Sequence, residues 1–183
     1  MTRVALPVVF LLAAVPAAAQ PPDGKANREA LQKLDFLAGK WKGDATVTLG
    51  PQGKQSIKQT EAVEYRLGGT VLLIEGKGTG KLPGQDKEGV VFNALAVVSY
   101  DARSDKYSIK AYRAEGQSVD ATLTLSDGGK GFVWGFKEPT RGTEVRYTMT
   151  LTDKGEWHEV GEYSPDGKAW TKFIEMTLTR VKE

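Results

Sequence analysis

The chain has 183 residues, with 25 lysines and arginines against 23 aspartates and glutamates, one histidine and no cysteine. This length suits a single domain with its own core. The balanced charge argues against a nucleic-acid groove, which needs clustered positive charge, and the lack of cysteine excludes thiol catalysis and cysteine metal sites.

Residues 1–19 have the features of a secretory signal peptide. Arg3 gives a basic start, residues 4–15 are mostly apolar, and residues 17–19 are the small alanines that signal peptidase needs. The apolar run is shorter than the roughly 20 residues that a membrane span requires. We therefore expect cleavage after Ala19, no membrane span and a periplasmic or secreted protein. The absence of cysteine favours the bacterial periplasm.

A short linker and one helix are predicted next. Residues 20–26 contain proline and glycine and are expected to be flexible. Residues 27–37 are predicted to be helical, with Asn27 as the cap, Gly39 as the stop and apolar residues at helical spacing. The folded domain is therefore placed at residues 27–183.

After Gly39 the chain is predicted to form about ten short strands separated by turns rich in glycine, aspartate and proline. The predicted strands are residues 41–49, 57–67, 71–78, 90–100, 107–114, 119–125, 132–136, 143–151, 157–163 and 171–181. No second helix interrupts them, which argues against a parallel sheet. Successive hairpins favour an all-β, antiparallel, up-and-down barrel, since closure removes exposed edges. A β-sandwich is the alternative and needs longer crossovers.

Several motifs carry a family resemblance. They are LDFLAGKW at 34–41, EYRLGG at 64–69, WHE at 157–159, GEYS at 161–164 and FIEMTL at 173–178. Together they resemble an uncharacterised bacterial family of secreted lipocalin-like (calycin-like) barrels, a domain of unknown function, over residues 34–181. The resemblance implies a fold and no reaction. It also implies that Trp41 of the G-x-W motif plugs the barrel floor. The L-x-G-x-W opening is distantly similar to that of the haem-binding nitrobindins.

Aromatic residues at alternate positions are candidates for the wall of a binding cavity. Trp134 and Phe136 share one face of their strand, and Tyr147 lies on the apolar face of the next. In a barrel these side chains point inward, where they line a ligand cavity or fill the core. Strand alternation leaves both possibilities open.

Three charged residues are candidates for polar contacts with a ligand. Arg113 shares a face with apolar residues, and an inward arginine needs a partner because burying an unpaired charge is costly. Glu159, Glu175 or an anionic ligand would serve, unless Arg113 reaches water from the end of its strand. Glu159 and Glu175 lie on adjacent predicted strands. Their positions are compatible with an acid–base pair and also with two solvent-facing charges. The inward face of the last strands stays open, because Phe173 and Ile174 are both apolar.

No metal site, cofactor site or catalytic residue is predicted. His158 is the sole histidine and is expected to face outward, so it is a poor haem ligand. The stretch GKGTGK at 76–81 lacks the P-loop pattern and a following helix, and is expected to be a flexible hairpin end. No G-x-S-x-G motif occurs.

The leading functional hypothesis is a barrel that binds a small hydrophobic or amphipathic molecule. Trp134, Phe136 and Tyr147 would form the walls, and Arg113, Glu159 and Glu175 the polar contacts. Three alternatives remain: an envelope interaction protein with a filled barrel, a barrel hydrolase or isomerase with an inward carboxylate, and haem or nitric-oxide handling.

Overall fold

The computed structural model describes residues 24–81 and 87–182. Within these ranges one short helix, α1 (Lys25–Gln32), precedes ten strands. The strands are β1 (Gly39–Thr48), β2 (Lys54–Arg66), β3 (Val71–Lys81), β4 (Glu88–Asp101), β5 (Lys106–Arg113), β6 (Ser118–Leu125), β7 (Gly131–Lys137), β8 (Glu144–Leu151), β9 (Trp157–Ser164) and β10 (Thr171–Arg180). The predicted signal peptide, most of the predicted linker and residues 82–86 lie outside the described residues.

The ten strands form one closed barrel. Each strand pairs antiparallel with the next, and β1 pairs with β10 to complete the circle. The predicted all-β, up-and-down, lipocalin-like barrel is therefore confirmed. One prediction was wrong: GKGTGK at 76–81 belongs to β3 and is not a hairpin end, because its residues pair with both β2 and β4.

The helix differs from its prediction at both ends. It begins at Lys25, inside the stretch predicted as linker, and its N-cap is Gly24 instead of Asn27. The side-chain amide of Asn27 donates to the carbonyl of Tyr100 on β4, so a tertiary contact replaces the predicted cap. A separate 3₁₀ turn, Asp35–Leu37, completes the segment.

Tyrosines of the barrel fix α1 across one end. The hydroxyl of Tyr107 donates to the carbonyl of Ala30 at 2.7 Å, and that of Tyr65 to the carbonyl of Leu31 at 3.0 Å. Carbonyls in the last turn of a helix need such external partners. The helix therefore closes this end of the barrel, which we call the lower end.

Directly above the helix lies a layer that we call the floor ring. Each of the ten strands contributes one inward side chain to it, and none is more than 3% exposed. Its members are Trp41, Val63, Leu72, Val98, Ile109, Leu123, Phe132, Met149, Trp157 and Leu178. Large apolar side chains thus fill the lower barrel, and their burial is the main stabilising contribution.

Trp41 has the location that the resemblance implied for it. Its indole nitrogen donates to the carbonyl of Leu37 at 2.7 Å, and its ring meets that of Trp157 edge-on with centroids 5.7 Å apart. The guanidinium of Arg180 lies 4.2 Å from the ring centroid. Trp41 therefore links the helical cap, the floor ring and the last strand.

We predict that Trp41→Ala destabilises the protein by about 3–5 kcal/mol, because the substitution leaves a large cavity in a packed layer. Trp41→Phe keeps most of the apolar contact and loses the hydrogen bond to Leu37, so a smaller loss is expected. Urea unfolding measures both variants. A loss below about 1 kcal/mol for Trp41→Ala would contradict the role of the floor ring.

Candidate functional site

The layer above the floor ring is not filled in the same way. We call it the middle ring. Its members lie two residues farther along each strand toward the upper end of the barrel, which is opposite α1 and which we call the mouth. They are Gly43, Glu61, Ile74, Ala96, Ala111, Ala121, Trp134, Tyr147, Glu159 and Met176. Six of its ten positions thus hold one glycine, three alanines and two carboxyl groups, and the other four keep large side chains.

Several middle-ring residues point inward and yet remain accessible. Ala96, Ala111, Trp134, Tyr147 and Glu159 are all half-buried. Because the wall of the barrel is closed on every side, the accessible surface of an inward side chain faces the interior. The incomplete burial of these residues is the observation that favours unfilled space above the floor ring.

The three alanines form one side of this space. Ala96, Ala111 and Ala121 lie on the consecutive strands β4, β5 and β6, and we call them the alanine wall. Strand β9 is five strands from β4 in the ten-stranded circle. Glu159 on β9 therefore faces the alanine wall across the interior.

Glu159 is one of two carboxyl groups in the middle ring. One carboxylate oxygen accepts a hydrogen bond from the indole nitrogen of Trp157 at 2.9 Å. Burial raises the pKa of Glu159 to about 7, although the Trp157 hydrogen bond and the His158 charge lower it in part. The group therefore exchanges its proton near neutral pH.

Glu61 on β2 is the second carboxyl group, and its residue is only 7% exposed. Its Oε1 accepts a hydrogen bond from the side-chain amide of Gln59 at 2.7 Å. Burial is the main reason that the pKa of Glu61 rises to about 8; the Gln59 bond opposes the rise, and the negative charge of Glu159 adds to it. The two carboxyl groups therefore act on each other inside the barrel.

Glycines on β3 provide the room for these polar side chains. A Cβ atom on Gly76 would lie 2.7 Å and 2.8 Å from the two carboxylate oxygens of Glu61. A Cβ on Gly78 would lie 2.8 Å from Oε1 of Gln59. The glycine spacing in GKGTGK thus reflects close packing by polar side chains of β2 and not a phosphate loop.

An aromatic cluster lies beside Glu159. The rings of Trp134 and Tyr147 stack with centroids 4.6 Å apart and planes 10° apart, and Phe136 stacks on Trp134 at 6.1 Å. Phe173 meets Tyr147 edge-on at 5.7 Å. Burial, and secondarily the charge of Glu159, raises the pKa of Tyr147 to about 12. The structure therefore brings together the three aromatic residues predicted as a wall.

Arg113 points toward the interior at the open end but is exposed. Its Nε lies 3.1 Å from a carboxylate oxygen of Glu115, and its guanidinium is 5.3 Å from the ring centroid of Phe92. Of the partners considered, neither Glu159 nor Glu175 pairs with Arg113, because a carboxylate in the adjacent turn does so. The arginine reaches solvent at the mouth, which was the stated alternative.

Glu175 lies on the outer wall and does not join Glu159. The pairing of β10 with β9 shifts register between Lys172 and Ile174, so Phe173 and Ile174 both contact the interior residue Gly161. Glu175 consequently faces outward, where it lies 3.0 Å from Nε2 of His158. Of the two interpretations left open, the acid–base pair is therefore wrong, and Glu175 is an outward charge in ion pairs with His158 and Lys172.

The described residues do not fit a haem inside the barrel. His158 is the only histidine of the chain and is engaged by Glu175 on the outer wall. Among residues 24–81 and 87–182, no group of three or more histidine, aspartate or glutamate side chains is placed to hold a metal ion. The same ranges contain no helix long and apolar enough to cross a membrane.

Comparisons with known proteins add no assignment. No protein-family model and no curated protein matches the chain.

Gln59 and Glu61 were missed by the sequence analysis. They occupy the same alternating positions as Ile57, Val63 and Tyr65, so their inward direction was present in the pattern. A polar pair at inward positions of an apolar strand face is the feature that would have identified them.

The pKa of Glu61 makes stability depend on pH. Its ordinary value is 4.5 and its value in the folded protein is about 8, so the folded state holds the proton more tightly. The stabilising contribution is fully present below about pH 4.5 and is lost as pH rises toward about 8. We predict that Glu61→Gln reduces this loss, by at most about 1.4 kcal/mol per pH unit.

Urea unfolding between about pH 5 and pH 9 tests this expectation. Glu75→Gln is the matched control, because Glu75 is an exposed glutamate on the adjacent strand β3. Equal pH slopes for Glu61→Gln and the original protein would contradict the raised pKa.

Substitution of Gly76 is expected to disturb Glu61 directly. We predict that Gly76→Val destabilises the protein by about 1–3 kcal/mol, because the new side chain overlaps the Glu61 carboxylate. The double variant Gly76→Val, Glu61→Ala should recover part of the loss. Additive effects of the two substitutions would show that the contact is unimportant.

Proposed function

We propose that the protein binds a small amphipathic molecule inside the barrel, above the floor ring. The observation that carries the proposal is the incomplete burial of inward residues in a closed wall, at Ala96, Ala111, Trp134, Tyr147 and Glu159. Apolar surface with a few polar groups is typical of a ligand site. The alanine wall and the aromatic cluster would contact the apolar part of the ligand, and the two carboxyl groups its polar part.

Arg113 would act at the entrance. It lies at the mouth beside Phe92, and its charge reaches Tyr147 strongly enough to oppose the rise in that residue's pKa. Glu175 has no place in this site, because it faces outward. The predicted signal peptide and the resemblance to secreted lipocalin-like barrels favour a place in the periplasm or outside the cell.

The alternatives fit the interior less well. An envelope interaction protein with a filled barrel would need a packed layer above the floor ring, where three alanines lie side by side on β4, β5 and β6 and several inward residues are only half-buried. An enzyme that uses an inward carboxylate is favoured by one observation, the pKa of about 7 at Glu159, which suits a general acid or base. Such an enzyme also requires a molecule in the interior, so binding is the first property to test.

Binding can be tested with a neutral apolar fluorophore, N-phenyl-1-naphthylamine, and a variant that fills the interior. Ala121→Trp places a large ring in the alanine wall, and we expect it to weaken binding by at least about tenfold. Thr122→Trp is the matched control, because Thr122 is the next residue and is exposed on the outer face.

Near-ultraviolet circular dichroism and the unfolding midpoint verify that both variants fold. Equal binding by Ala121→Trp and Thr122→Trp would place the fluorophore outside the barrel. Absence of binding to the original protein would contradict the proposed function.

A further inference from the structure

We propose that the ligand of the barrel carries a protonated amine, which is held between Glu61 and Glu159, with its apolar body directed toward the mouth. This inference rests on the proposed function and names the class of ligand. It follows from the charges, the free oxygen atoms and the position of the two carboxyl groups.

The first step concerns charge. Strands β1, β3 and β10, which neighbour β2 or β9, present no charged side chain to the interior near the two glutamates; there they present Gly43, Gly76 and Met176. Tyr147 on β8 is the nearby titratable group and is neutral at physiological pH. Arg113 on β5 is the inward-pointing cation, but it lies at the mouth and pairs with Glu115. Within the described residues the deep carboxyl groups therefore have no counter-ion inside the barrel.

The second step concerns hydrogen bonds. Gln59 occupies only Oε1 of Glu61, and Trp157 occupies only Oε2 of Glu159. The other oxygen of each carboxylate has no described protein partner and is an accessible atom, because no buried side-chain oxygen of the described residues lacks a partner. An ammonium group has three donors and no acceptor, so it fits two free carboxylate oxygens.

The third step concerns the path to the carboxyl groups. Above the middle ring the inward residues are chiefly apolar, including Phe92, Phe136, Val145 and Ile174. A ligand whose amine lies at the middle ring therefore has apolar contacts along the rest of its length. The stacked rings of Trp134 and Tyr147 add a surface that attracts cations.

Proton exchange gives the amine a distinctive pH dependence. Near neutral pH, burial keeps Glu61 protonated and Glu159 close to its midpoint, and a bound ammonium group favours the ionised form of both. Binding of the amine should therefore release protons. Its affinity should rise between about pH 6 and pH 8, by at most about tenfold per pH unit for each proton released.

Three probes of equal chain length test the inference: octylamine, octan-1-ol and octanoate, titrated by calorimetry at about pH 7, where both carboxyl groups still hold protons, in buffers of different ionisation enthalpy. We expect octylamine to bind at least about tenfold more tightly than octan-1-ol, octanoate to bind weakest, and protons to be released with octylamine alone. In Glu159→Gln and Glu61→Gln the preference for octylamine should fall to about threefold or less, while octan-1-ol still binds. Glu175→Gln, an outer-wall control, should behave as the original protein.

The outcomes separate this inference from the proposed function. Octan-1-ol binding as tightly as octylamine, or a preference that persists in both interior variants, would overturn the amine inference and leave interior binding intact. Failure of all three probes, together with failure of N-phenyl-1-naphthylamine, would overturn the proposed function itself. Tighter binding of octan-1-ol at low pH would instead indicate that the protonated carboxyl groups act as donors to a neutral ligand, and would also overturn the amine inference.

Discussion

The pairing of β1 with β10 determines the role of every inward residue in this protein. Closure removes both sheet edges and creates an interior that can be reached only through the ends. The seam is unusually tight at Gly43, where a Cβ atom would lie 2.1 Å from the carbonyl oxygen of Thr177. A glycine is required there because backbone cannot move aside as a flexible side chain can. Once the seam is closed, an inward side chain either packs against others or borders an enclosed space.

The two layers of the interior use these options differently. The floor ring is packed with large apolar side chains and capped by α1, so it supplies much of the stability that a single core requires. The middle ring gives up such packing for alanine, glycine and two carboxyl groups, whose burial is unfavourable in their charged forms. Regions that oppose stability in this way are commonly retained for function. The division explains how one barrel can be densely packed at the end capped by α1 and less densely packed above it.

The sequence was sufficient for the fold because the relevant information is local. Side-chain alternation has a period of two and turn residues mark each hairpin, so strands and their order could be predicted without knowledge of contacts. Trp134, Tyr147 and Glu159 were placed on the interior side for the same reason. Glu175 could not be placed, because the irregularity at Phe173 reverses the alternation and depends on packing against Gly161. Glu61 was overlooked because a glutamate in a strand usually faces water. Its place in the alternation puts it on the inner face, and that face is enclosed only because the barrel is closed.

In the middle ring, the protonation of the two carboxyl groups matters more for recognition than the shape of the wall does. The alanine wall offers a smooth surface that discriminates poorly between apolar groups of similar size. The two carboxyl groups instead respond to what lies beside them. With nothing charged nearby, burial keeps Glu61 protonated at neutral pH and Glu159 close to its midpoint. A positive neighbour draws both toward the ionised form, whereas a negative neighbour opposes ionisation. Under the proposed function, charge would therefore decide the occupant, and the selectivity would depend on the pH of the surroundings because both carboxyl groups titrate near neutrality.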